Sequence, residues 1–276
     1  GTAAVAGPAV RKRARLPGKL TGIDDPFPCA RINIEAERLA SKLGAPVTYL
    51  SEDGSSWLCL ARGWRPPCSG TAFAEHWETH PTKYHELKVF GKVCKENRWS
   101  QSWGVSYKYS GSTNSAVPIP SGSLVEDLVS SCNALVEEHQ AVYNACLQNW
   151  YVPDHTIGLH ADDERAHVPG VPIFSLSWGG TRRFLLHPKP GLEGLRPKME
   201  IFLKSGDLLV MGGTCQLTHK HEVPKWRKTK DPPTGNRINW TIRAFDATHA
   251  RGGAPRGRGG LSAAGGGGGP PRNTKK

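Results

Sequence analysis

From residue 145 to residue 245 the chain is a succession of short apolar or alternating segments, each closed by glycine, proline or aspartate, and few architectures suit that pattern. The segments are "ACLQNWYV" (145–152), "IFSLSWGG" (173–180), "TRRFLLHP" (181–188), "MEIFLKSGDLLVMG" (199–212) and "INWTIRAF" (238–245). Runs of this length, bounded by turn residues, read as strands. Upstream, "SGSLVEDLVSSCNALVEEHQAV" (121–142) sets Leu124, Leu128, Leu135 and Val142, with Val125, Val129 and Val136, along one helical stripe, and Ser123 with Glu126 fits a capping box. "GTAFAEHWETH" (70–80) reads as a shorter helix with Phe73 and Trp77 on one face. An opening helical layer followed by a run of strands predicts an α+β protein whose strands form a sandwich or jelly roll.

The chain, 276 residues long, can bury a full core, and its net charge of +12 is concentrated at the ends. Five cations in residues 1–20 and six in 251–276, with no acid in either stretch, account for all but +1 of it. "RKRARLPGK" (11–19) suits nuclear import or a phosphate-binding arm, and the Gly/Arg-rich end cannot bury apolar surface. No apolar run approaches the ~18 residues of a membrane helix and the start does not resemble a signal peptide, so a soluble protein is expected. The seven cysteines form no C-x-x-C pair, which points to reduced thiols rather than a disulfide frame or a zinc site.

Chemistry concentrates in "NWYVPDHTIGLHADDE" (149–164), where His155, His160, Asp162, Asp163 and Glu164 interleave with bulky apolar residues. In an extended segment His160-x-Asp162 directs two donors to one face, because side chains two apart point the same way. A third donor from "TCQLTHKHEVP" (214–224), either His219 or His221, would complete a 2-His-1-carboxylate face with positions left open, the arrangement of non-haem Fe(II) oxygenases. A His-x-Asp on its own is a weak signal, more often a surface or core-satisfied histidine than a metal site. "RINWTIRAF" (237–245) adds specificity: Arg237, Asn239, Thr241 and Arg243 alternate with Ile238, Trp240, Ile242 and Ala244. On a half-exposed strand such a polar row meets water; beside a metal face it makes a carboxylate-binding wall, since guanidinium forks bind carboxylates bidentately.

Taken in order, N-x-Y (Asn149, Tyr151), H-x-D, a distal histidine and R-x-N-x-T-x-R resemble the AlkB family of Fe(II)/2-oxoglutarate dioxygenases over roughly residues 70 to 246. "VFGK" (89–92), "YKYSG" (107–111) and "HADDE" (160–164) make the chain most similar to the eukaryotic homologues that repair alkylated duplex DNA. The resemblance implies a double-stranded β-helix (jelly-roll) core with helices on one side and an N-terminal nucleotide-recognition lid. The domains would be a basic tail (1–20), a helix/strand extension (21–68), the dioxygenase domain (69–248) and a Gly/Arg-rich tail (249–276).

By the same resemblance His160, Asp162 and His221 would bind iron, His221 being preferred because Glu222-Val223-Pro224 follows it. Asn149, Tyr151, Arg237, Asn239, Thr241 and Arg243 would hold 2-oxoglutarate, with Arg237 on its distal carboxylate. Tyr107, Tyr109 and Ser110 would line the base pocket, and Asp163 and Glu164 would read the polar edge of the flipped base. Phe90 would be the finger that fills the vacated stack. Arg98 would sit near the orphaned strand, although the family's P-R-K is here Asn97-Arg98-Trp99, and Arg227 and Lys228 would touch phosphates. The implied cofactors are Fe(II), 2-oxoglutarate and O2, with ascorbate as reductant in vitro. The implied activity is oxidative demethylation of bases such as 1-methyladenine and 3-methylcytosine in double-stranded DNA by a nuclear monomer, releasing formaldehyde and succinate. RNA as substrate, and a silent member that only binds nucleic acid, are the alternatives.

Overall fold

The structure, a computed structural model, describes residues 20–65, 70–89, 92–109, 112–136, 142–225 and 235–246, with backbone alone at 70–71, 87–89, 107–109 and 112–114. Both basic tails, Leu20 apart, therefore lie outside the described residues. The elements up to residue 117 are α1 (Ile34–Leu43), β1 (Val47–Tyr49), β2 (Ser56–Ala61), α2 (Gly70–Glu78), β3 (Glu86–Val89), β4 (Lys92–Lys95), β5 (Trp99–Trp103), β6 (Tyr107–Tyr109), β7 (Ser112–Asn114) and β8 (Ala116–Val117). Then follow α3 (Leu124–Leu135), β9 (Ala145–Tyr151), β10 (Ile157–His160), β11 (Ile173–Gly179), β12 (Arg182–Pro188), β13 (Met199–Leu203), β14 (Leu208–Gly213), α4 (Cys215–Thr218), β15 (His219–Val223) and β16 (Arg237–Arg243).

An eight-stranded sheet runs β1-β2-β14-β11-β16-β9-β5-β8 and a four-stranded sheet runs β10-β15-β12-β13. The expected strands after residue 145 are present, but the opening half is not simply helical: β2 and β5 belong to the large sheet. "SWLCLA" of β2 is buried on both faces, so it carries no alternation to read. The hairpins β3–β4 and β6–β7 pair, among the described residues, only within themselves.

Alternation along the central strands sorts two packing layers. Trp57 and Cys59 of β2, Leu208 and Val210 of β14, Phe174, Leu176 and Trp178 of β11, and Ile238, Trp240 and Ile242 of β16 join one core with Ala36 and Leu39 of α1 and Leu128 and Cys132 of α3. The intervening residues, Leu58, Leu60, Leu209 and Met211, pack between the sheets against Phe184, Leu186, Ile201 and Leu203. Helices cover one face of the large sheet and the small sheet covers the other. Trp57, Trp150, Trp178 and Trp240 are at most 1% exposed, and truncating any one would cost roughly 3–5 kcal/mol. Trp178 and Trp240 meet edge to face at 5.0 Å beneath His76 of α2.

Two local expectations need correction. Glu126 accepts from the Gly122 amide (2.7 Å) while the Ser123 hydroxyl accepts from the Glu126 amide (3.2 Å), so the capping box closes one residue early. The helix itself ends at Leu135, and Val142 is 66% exposed, off the stripe. The Asn133 side chain bonds both the N–H and the C=O of Tyr143, which turns the chain into β9.

Candidate active site

Between the sheets the apolar packing gives way to polar side chains on β9, β11 and β16. Leu147, Asn149 and Tyr151, Ser175, and Arg237, Asn239, Thr241 and Arg243 line a cavity with His160, Asp162 and His221. The row of β16 that could have faced water is buried, at 2–7% exposure, because the small sheet covers it.

His160 closes β10 and is the register partner of His221 on β15, so sheet pairing alone brings these rings together, with centroids 4.3 Å apart. Asp162 is not on the strand. It lies just beyond β10, and strand alternation does not explain its direction. Instead the Gln216 side chain of α4 accepts from the Asp162 amide (2.9 Å), and Arg243 Nη2 lies 2.7 Å from Asp162 Oδ1. His160 Nε2 then stands 3.6 Å from Asp162 Oδ1 and His221 Nε2 3.9 Å from Oδ2, with the donor atoms of all three residues within 4.8 Å of one another. His160 Nδ1 donates to the Gly158 carbonyl (2.8 Å), which leaves the Nε2 lone pair toward the cavity. His219, the other candidate, is 1% exposed and bonds the Thr218 hydroxyl through Nδ1 (2.8 Å).

α4 can pack here because Gly213 turns the chain at φ 59°, where a Cβ would lie 1.9 Å from the Ser55 carbonyl oxygen. Gln216 has no counterpart in the sequence reading, since nothing local marks it. Replacing it by leucine removes the acceptor for the Asp162 amide, and Mn(II) affinity, followed by electron paramagnetic resonance, should fall about 10- to 100-fold. Unchanged affinity would show that the loop holds Asp162 unaided.

Electrostatics keep the donors ready. Burial drives His221 down to about 3, helped by the neighbouring His160, and burial lowers His160 as well. Burial alone would raise the Asp162 carboxyl, but Arg243 and the two imidazoles hold it well below the usual carboxylate range. All three groups are in their ligand-competent forms at neutral pH.

At the other end of the cavity, Arg237 is 2% exposed, with Nη2 donating to the Ser177 hydroxyl (2.9 Å) and its guanidinium 5.1 Å over the Tyr151 ring. Among the described residues its Nε and Nη1 have no hydrogen-bond partner. Arg182, on the same ring at 5.7 Å, donates to the carbonyls of Val152 and His155, and burial together with Arg237 pushes it down to about 10. Arg237, a buried guanidinium on the cavity wall that faces no acid among the described residues, makes this end of the cavity a pocket for an anion. The donor trio fits Fe(II) and the orphaned fork fits a carboxylate of 2-oxoglutarate.

Other expected contacts fall elsewhere. Asn239 gives both amide hydrogens to the wall, to the Ser175 hydroxyl (2.9 Å) and the Leu176 carbonyl (2.7 Å), and its oxygen accepts from Thr241 (3.2 Å). This pair braces the strands rather than offering donors. Arg243 forks between Asp162 and Glu164 (3.0 Å), so Glu164, 9% exposed, is a buried partner of arginine and does not flank Asp163 at a base edge. Burial and the nearby Asp162 raise Glu164 to about 7 despite Arg243. The Asp163 side chain is 56% exposed, 3.7 Å from Lys189. Arg98, expected beside an orphaned strand, is 6% exposed and bonds Asn149 and Glu96, so it is not available to a duplex. His155 bonds the Tyr84 hydroxyl (3.2 Å) away from the donors. Tyr107 and Tyr109 are described only as backbone of β6, and Phe90, Ser110, Arg227 and Lys228 lie outside the described residues.

Comparison with known proteins agrees with this geometry. The profile of the 2OG-Fe(II) oxygenase superfamily matches residues 68–243. DNA oxidative demethylase ALKBH2 of Homo sapiens is 33% identical over 168 residues, 57% of this chain and 60% of that protein. The Mus musculus protein of the same name is 32% identical over 169 residues, 57% and 66% respectively. Thus the chain spans less than two thirds of the length of these two relatives. Alpha-ketoglutarate-dependent dioxygenase alkB homolog 3 of Bos taurus is 30% identical over 228 residues, 75% of this chain and 72% of that one. The chain belongs to the 2OG-Fe(II) oxygenase superfamily. Within it the chain groups with the AlkB-type members, a family whose cofactors are Fe(II) and 2-oxoglutarate.

Proposed function

We propose that the chain is an oxidative demethylase of N-alkylated bases in DNA. The observation that carries this reading is the polarity of the cavity: an acid-free arginine fork at one end and a His–Asp–His face at the other, on a scaffold similar to proteins named DNA oxidative demethylases. When bound, Fe(II) with 2-oxoglutarate and O2 supplies the oxidation, converting 2-oxoglutarate to succinate and CO2 and an N-methyl group to formaldehyde. The chain's own residues do the positioning. His160, Asp162 and His221 would hold the metal; Arg237 would fork onto the distal carboxylate over Tyr151; Arg243 keeps Asp162 ionised and aimed.

The open side is at β10. The His160 side chain is 14% exposed, against 3% for Asp162 and 7% for His221, and its neighbour Leu159 is 47% exposed. A target base would approach there, and to do so it must leave the helix stack, least costly for a base whose alkylation already spoils pairing. Lesion choice is thus partly made by the nucleic acid. The exposed Lys92 and Lys95 of β4 suit phosphates, and Phe90, which the sequence places between β3 and β4, is our candidate finger. A single copy suffices for this site, and the basic "RKRARLPGK" segment suits a nuclear address.

The deciding experiment incubates the protein with Fe(II), ascorbate, 2-oxoglutarate and oligonucleotides carrying 1-methyladenine or 3-methylcytosine, as duplex DNA, single-stranded DNA and RNA, and weighs the products by mass spectrometry. Loss of one methyl group from DNA is expected. Turnover of RNA alone would move the substrate class, and turnover of none would leave a binding protein. Phe90→Ala should reduce repair of duplex at least about tenfold more than repair of single strands, since only a duplex leaves a stack to fill; equal losses would remove the finger assignment.

A further inference from the structure

We propose that Arg98 is a positioning residue for the cosubstrate: through a buried hydrogen bond it sets the Asn149 amide so that its NH2 group faces the cavity. This rests on the reading of Asn149 as a 2-oxoglutarate contact.

The geometry is specific. Ser100 of β5 is the register partner of Asn149 on β9, so the chain just before β5 runs past the Asn149 side chain. Arg98 Nε donates to Asn149 Oδ1 at 2.8 Å. Arginine has donors only, so the atom facing it must be the amide oxygen, and the NH2 group is turned away. Asn149 is 2% exposed and lines the cavity, and among the described residues its NH2 has no protein partner. The arrangement therefore presents a donor to an anion.

Arg98 is itself locked. Its Nη2 lies 3.2 Å from Glu96 Oε1, the Ser100 hydroxyl donates to Glu96 Oε2 (2.9 Å), and both Arg98 and Glu96 are buried, at 6% and 8% exposure. The Glu96 amide also donates to the His85 carbonyl (2.8 Å), at the root of the β3–β4 hairpin. The relay thus joins that hairpin to the cosubstrate wall. Without Arg98 the amide could turn over and offer its oxygen to a carboxylate, a repulsive contact.

The test is anaerobic calorimetric titration of 2-oxoglutarate into the Mn(II)-loaded full chain. Arg98→Met should weaken binding about 5- to 20-fold without changing Mn(II) affinity, since the lost hydrogen bond is made to a charged ligand. Asn149→Ala should weaken it comparably, and the double variant should be no worse than Asn149→Ala, because both changes remove one interaction. Arg98→Lys, which keeps a donor, should recover part of the loss. Additive losses in the double variant, or a neutral Arg98→Met beside a damaging Asn149→Ala, would overturn the proposal alone. A neutral Asn149→Ala would overturn the cosubstrate reading of Asn149 and the proposal with it. Loss of Mn(II) affinity in both Arg98 variants would also sink it, since the arginine would then be holding the fold.

Discussion

His160→Ala should abolish metal binding and turnover while the protein stays folded: this is the largest effect expected of any single substitution in the chain. The ring already borders the cavity and is the most accessible of the three donors, so the fold should survive its removal. Its Nε2 nevertheless supplies one corner of the donor triangle, and no other described residue stands in reach to replace it. The loss should therefore exceed the roughly 10- to 100-fold that removing an outer partner such as Gln216 produces. Mn(II) titration by electron paramagnetic resonance and product mass spectrometry measure the two consequences, and the unfolding midpoint checks the third. His219→Gln is the counterpart: its ring is engaged with Thr218, and the variant should retain metal. If His219→Gln loses metal and His160→Ala does not, the ligand set is wrong.

Removing the Arg237 fork should act on two properties in opposite directions. In the protein without cosubstrate, Arg237 is a buried cation whose Nε and Nη1 are unpartnered among the described residues and whose Nη2 has a hydroxyl acceptor. Burial lowers its pKa, a sign that the charged form is held there at a cost that Tyr151 only partly offsets. Arg237→Met fills similar volume with no charge, so the apo protein should be no less stable and its unfolding temperature should stay level or rise. Binding of 2-oxoglutarate should meanwhile weaken at least about 100-fold, because two charge-assisted hydrogen bonds at roughly 1.5–3 kcal/mol each are lost. The thermal shift that 2-oxoglutarate induces in the parent should vanish with it. Calorimetry and thermal melts of the same samples read both. A large drop in apo stability with binding intact would mean that Arg237 is a structural residue.

Much of the frame was legible in the chain, for a local reason. The strands after residue 145 announce themselves by length, turn residues and composition, and the alternation of "RINWTIRAF" states which four side chains share a face. The early strand "SWLCLA" did not, because a strand buried on both sides has no polar face to show. Among site residues, the donors could be nominated by motif, yet the partners that aim them could not: Gln216 sits in a one-turn helix and looks like any surface glutamine, and Arg98 looks like a cation for a phosphate. Glu164 follows Asp163 directly, and only the fold shows that one is buried against Arg243 and the other meets solvent.

What the sequence determined by itself is direction: side chains two apart on an extended chain point alike, so Arg237, Asn239, Thr241 and Arg243 had to form one row and Ile238, Trp240 and Ile242 the opposite one. What only the tertiary structure decided is environment. Whether that row met water depended on a second sheet closing over it, and His160 met His221 because two distant strands paired in one particular register. Backbone geometry is local and is written residue by residue, whereas burial, and the strength it lends to every charge in the cavity, depends on segments far away in the chain.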